Sequence, residues 1–215
     1  MSSLAERQRM FIEHLLALGQ GSSPAADKRW AHFADFVFFS RKAKLRRSLP
    51  KTTLMLKSAF DDIFEEFARS HPPVSTATNA DLADFLRFSR ALVPRIKHVP
   101  AFAGHLMRFE AAIARVRAAD EFPHEAAAQG FPIELMATDF DFSALFEPGS
   151  GQAHPEPRKT RCVLWIDRQS GRLRVAELSS RSFSELRRMQ KSGAPGDALL
   201  AWLGLENPGI DGRES

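Results

Sequence analysis

The chain has 215 residues, enough for one large domain or two small ones with a buried core, and its 44% hydrophobic and 26% charged content excludes a disordered tail. A single cysteine, Cys162, excludes an intramolecular disulfide and a Cys-based zinc site, and 18 phenylalanines without a tyrosine make an aromatic load that fills a core. The net charge of +4 is unevenly spread: Arg158 to Lys191 holds ten basic and three acidic residues, a surplus of +7 against −3 for the remainder. Such a segment suits an anionic partner.

The opening residues, MSSLAERQRMF, lack a basic start followed by an apolar run, and no stretch approaches the length of a membrane span. A cytoplasmic location is expected. Residues 4–18 carry Leu4, Phe11, Leu15 and Leu18 at helical spacing, and GQGSSP (19–24) ends that helix. A second helix is expected from Asp27 towards Leu45, with Pro50 stopping it or starting the next element, and a short apolar turn over Leu54 to Leu56. In SAFDDIFEEFARSHPP, Ser58 and Asp61 have capping-box spacing, and Phe60, Ile63, Phe64 and Phe67 form the inner stripe. Further helices are expected after Thr78 or Asn79 and after Pro100. Together they give an α-helical bundle over residues 1–118.

Composition changes beyond that point. Residues 119–160 read as a linker with a short strand at Ile133 to Met136 and a Pro/Gly-rich loop from Glu147 to Pro157. Cys162 to Asp167 and Arg172 to Leu178 flank a turn at Arg168-Gln169-Ser170-Gly171 and form a β-hairpin. Ser182 with Glu185 has capping-box spacing for a helix that Gly193 ends, and Leu199, Leu200, Trp202 and Leu203 mark a last helix. The expected fold class is therefore α+β: a helical bundle, then a basic hairpin/helix module over 161–206 and a polar tail over 207–215.

The search for chemistry is mostly negative. The seven histidines include no HExxH and no i, i+4 pair beside acids. Asp61, Asp62, Glu65 and Glu66 read as a solvated helix face. Gly149-Ser150-Gly151 lacks the Lys-Ser/Thr of a phosphate loop, and Cys162 reads as a packed strand thiol. No catalytic constellation, metal site or cofactor of its own is expected.

A hairpin offers a different route to function. A free strand edge presents unpaired N–H and C=O groups to which an extended peptide can add as another strand. The peptide-binding candidates are Arg161, Val163, Trp165, Arg172, Arg174 and Val175 on the strands, with Arg187 and Arg188 on the next helix. Their charge suits an acidic peptide.

Arg41, Leu49-Pro50, Phe60-Asp61-Asp62-Ile63-Phe64, Phe67-Ala68-Arg69-Ser70-His71-Pro72-Pro73, Asp84-Phe85-Leu86, Val99-Pro100 and Leu106 to Ala112 are similar, in order and spacing, to a bacterial family named for DNA binding. Its members act as partner proteins of multinuclear non-heme iron oxidative enzymes that mature ribosomally made peptides. The C-terminal hairpin and helices also resemble that family's second domain. The resemblance implies a heterodimer with the iron enzyme, recognition of a precursor peptide's leader by the C-terminal domain, and iron held only by the enzyme subunit. Among subfamilies it is most similar to the partner in thiaglutamate biosynthesis, where the β-methylene of a carrier peptide's C-terminal cysteine is excised. An alternative reading is DNA binding through the basic run Arg41, Lys42, Lys44, Arg46, Arg47 and Lys51, although no helix-turn-helix signature accompanies it.

Overall fold

The computed structural model describes residues 28–73, 78–121, 133–146, 154–167, 170–194, 196–202 and 204. The helix expected over 4–18, most of the Pro/Gly-rich loop, Arg168 and the tail from 207 lie outside them. The fold is α+β, and the chain divides into two compact units, residues 1–110 and 111–215.

In the first unit, α1 (Lys28–Ser48), α2 (Pro50–Leu56), α3 (Ser58–Ser70) and α4 (Thr78–Ser89) are followed by a 3₁₀ turn (Val93–Arg95) and by α5 (Ala103–Glu121), which continues across the division between units. α3 forms as its periodicity predicts. Phe60, Ile63, Phe64 and Phe67 are buried, and the Phe85 ring of α4 lies 5.5 Å from Phe60 and 5.3 Å from Phe67. Burying each such ring contributes on the order of 2 kcal/mol, so this stripe is a main source of cohesion.

Two local expectations need correction. Residues 54–56 belong to a helix begun by Pro50 at its first turn, not to an isolated turn. Ser58 makes no side-chain cap: Lys57, at φ 51°, precedes the helix. Asp61 faces α1 instead, accepting hydrogen bonds and charge from Lys42 at 3.0 Å and Arg46 at 2.6 Å. It is therefore an inter-helix bridge rather than part of a solvated acidic face.

The start of α2 is capped from a distance. Glu110 accepts the backbone N–H of Lys51 at 2.7 Å and of Thr52 at 2.8 Å, which serves two of the donors a helix leaves unpaired at its N-terminus. Glu110 is 2% exposed, and burial pushes its pKa above the ordinary glutamate value despite those bonds.

In the second unit, β1 (Ile133–Thr138), β2 (Thr160–Asp167) and β3 (Arg172–Glu177) form an antiparallel sheet in that order, with the short α6 (Ser143–Phe146) between the first two strands. α7 (Ser180–Lys191) and α8 (Gly196–Trp202) follow. α7 is capped by Ser179, whose Oγ accepts from Ser182 N–H at 3.0 Å, three residues before the position expected from Ser182 and Glu185. Glu185 turns to Arg188. The helix does end at Gly193, at φ 83°, where Ala194 N–H returns to the Met189 carbonyl.

A candidate peptide-binding rim on the three-stranded sheet

The sheet has two distinct faces because side chains alternate along each strand. Register places Ile133, Leu135, Arg161, Val163, Trp165, Arg172, Arg174 and Ala176 on one face. That face packs under α7 and α8: Ile133, Val163, Leu186 and Leu199 form a buried cluster, flanked by Trp165, Ala176 and Met189. The other face carries Glu134, Met136, Cys162, Leu164, Ile166, Leu173, Val175 and Glu177. Glu134 there receives a bidentate bond from Arg115 of α5, at 2.5 and 3.0 Å.

β2 is the central strand, so its main chain is paired on both sides and offers no edge. Val163, fully buried, belongs to the core and presents no side chain to a partner. Trp165 is half-buried in the same cluster, and Arg161 sits near its end. Of the strand candidates, only those on β3 border a free edge.

The geometry of that edge follows from one bond. Leu178 N–H donates to the Arg161 carbonyl at 2.7 Å, which makes this pair a hydrogen-bonded rung. Rungs alternate along an antiparallel ladder, so Ala176, Arg174 and Arg172 also turn their N–H and C=O groups towards β2. The N–H and C=O groups of Leu173, Val175 and Glu177 therefore point away from the sheet. No further strand pairs with them among the described residues.

The cations divide into bound and available ones. Arg174 donates to the Asp167 carboxylate at 3.1 and 3.3 Å, and Arg188 to Glu185. Arg158 joins Asp141 to Glu177, at 2.8 and 2.9 Å for the latter, and clasps the segment before β2 to the end of β3. Arg161, Arg172 and Arg187 make no ion pair among the described residues, and Arg172 and Arg187 are exposed. The turn that carries Arg172 is closed by Gly171, at φ 62°, donating to the Asp167 carbonyl at 2.8 Å. Sequence reasoning did not single out Leu173 or Glu177, since only the ladder parity reveals which residues face outward.

Cys162 lies opposite Glu177 on the α5-side face, 2% exposed. Burial, reinforced by the charges of Asp141 and Glu177, pushes its thiol up to about 12. It stays protonated at neutral pH and is a poor nucleophile.

The basic run of the alternative reading is largely committed within the first unit. Arg41 is buried against Asp81, and Lys42 and Arg46 hold Asp61. No helix among the described residues is long and apolar enough to cross a membrane. No protein-family model matches the chain, and no curated protein matches it significantly.

Proposed function

We propose that this chain is a non-catalytic partner subunit that holds an extended precursor peptide along β3 and presents it to a separate non-heme iron enzyme. The observation that carries this reading is the outward row of main-chain groups at Leu173, Val175 and Glu177, bordered by the available charge of Arg172. A strand added there gains main-chain hydrogen bonds, while Arg172 favours acidic side chains near the turn. Glu177 and the Arg158 clasp at the opposite end of β3 set a different charge environment. That difference gives the groove a direction, so a leader with its acids towards the turn fits best.

The sequence resemblance supplies the enzyme class, and the reaction favoured among its subfamilies is oxidative modification of a C-terminal cysteine with excision of its β-methylene. In this scheme iron and oxygen chemistry belong to the enzyme subunit, and this chain contributes binding and orientation. Such positioning lowers a barrier by converting an encounter into an intramolecular step. Co-expression with the iron enzyme tests the pairing: a stable heterodimer that modifies the peptide is expected, with neither subunit active alone. Turnover by this chain by itself would overturn the proposal.

DNA binding is the second reading. It is disfavoured because Arg41, Lys42 and Arg46 are already occupied by carboxylates, which a phosphate backbone would have to displace.

A further inference from the structure

The outward row of main-chain groups on β3 has two flanks of different chemistry. Successive side chains of a strand stand on opposite faces, and residues paired across two strands share a face. On the face that packs under α7, the β3 side chains nearest the turn are Arg172 and Arg174, both exposed. On the other face they are Leu173 and Val175, both half-buried, and their cross-strand neighbours Ile166 and Leu164 are buried. Near the turn, then, the edge is cationic on one face and aliphatic on the other. That contrast ends at Ala176 and Glu177, where the first carries no charge and the second is held by Arg158.

We propose that β3 selects a peptide segment in which acidic and aliphatic residues alternate one by one over the four positions opposite Arg172 to Val175. Given strand addition at β3, on which this selection rests, residues opposite Leu173 and Val175 put their side chains beside those two. Aliphatic groups there extend a layer that is only half covered. Residues opposite Arg172 and Arg174 emerge on the other face, where carboxylates meet the guanidinium groups. Arg172 makes no ion pair among the described residues, so an acid facing it displaces nothing. Arg174 shares its charge with Asp167, so an acid there gains less. The alternation holds for a peptide running in either direction, because its side chains change face at every residue. It also fixes the register, since a slip of one residue sends every carboxylate to the aliphatic face. Two acids followed by two aliphatics cannot satisfy both faces in any register.

Fluorescence anisotropy of the full chain with two labelled synthetic peptides of one composition tests this selection. One peptide contains Val-Glu-Val-Glu and the other Val-Val-Glu-Glu, between identical Gly-Ser flanks. The alternating peptide should bind about tenfold more tightly. Arg172→Glu, at an exposed position, should remove most of that preference and leave the thermal melt unchanged. An alternating peptide with Lys in place of Glu should then bind the variant better than it binds the parent. Equal affinity for the two peptides, both lost on Val175→Pro, overturns the alternation and leaves strand addition standing. A preference untouched by Arg172→Glu overturns it as well, because the acids would then be read elsewhere. Peptide binding that Val175→Pro leaves intact overturns the β3 site itself. Binding of neither peptide overturns the alternation, and a precursor leader that also fails to bind overturns the β3 reading with it.

Discussion

The guanidinium of Arg41 holds both carboxylate oxygens of Asp81, at 2.9 and 2.8 Å, and spends a third bond on the His71 carbonyl at 3.0 Å. It also lies 5.1 Å from the centre of the Phe67 ring. One side chain therefore ties α1, the end of α3 and α4. Arg41 and His71 are both among the residues that carry the family resemblance, and here their role is architectural.

Breaking that tie leaves a buried charge without its partner. Arg41→Ala is expected to cost about 3 kcal/mol in denaturant unfolding, and Arg41→Lys to recover little, because an ammonium cannot reproduce the planar two-pronged contact. A loss below about 0.5 kcal/mol would mean the pair is a surface-like bridge.

Glu110 imposes a pH dependence with a definite sign. Its folded pKa lies above the unfolded value, so the native state binds the extra proton and the contribution to stability is full below the unfolded pKa, near 4.5, and is lost as pH rises through the raised folded value. Asp61 and Asp141, held low, act in the opposite direction as pH falls. The difference between parent and Glu110→Gln isolates the effect: stability of the parent relative to the variant should decline with rising pH over that window. A difference that is flat with pH would contradict the burial-driven shift. Glu110→Ala, which also abandons two helix N–H groups, should cost about 2 kcal/mol.

The thiol of Cys162 should react with a thiol-directed disulfide reagent far more slowly in the folded chain than in denaturant. Stoichiometric labelling of native protein within minutes would show an accessible thiolate and reopen the question of chemistry at this residue.

Duplex DNA should bind only weakly, with a shallow salt dependence, as measured by fluorescence anisotropy. A slope of log affinity against log salt steeper than about −4 would require several phosphate contacts and would favour the basic run as an interface.

How far the sequence discloses this molecule depends on whether a feature is local. The Phe60–Phe67 stripe and the Gly193 stop are legible because periodicity and a left-handed residue act within a few positions. The capping boxes at Ser58 and Ser182 mislead for a different reason. Asp61 gains more from two cations on another helix than from closing its own N-terminus, and Ser179 offers an earlier cap. The hairpin is legible, yet its rank in the sheet is not. The strand at Ile133 joins β2 across more than twenty residues, and that pairing turns Val163 from an edge candidate into core. Which groups of β3 face outward depends on the same long-range register.

The parity of that register sets up the decisive measurement, a binding titration of the precursor's leader peptide against two proline variants. Val175→Pro removes an N–H that points away from the sheet, which an edge strand tolerates, so the fold should survive while leader affinity falls about tenfold, or about 1.4 kcal/mol. Arg174→Pro removes an N–H bonded to β2 and should instead lower the melting temperature. Undiminished leader affinity in folded Val175→Pro protein would contradict binding along β3.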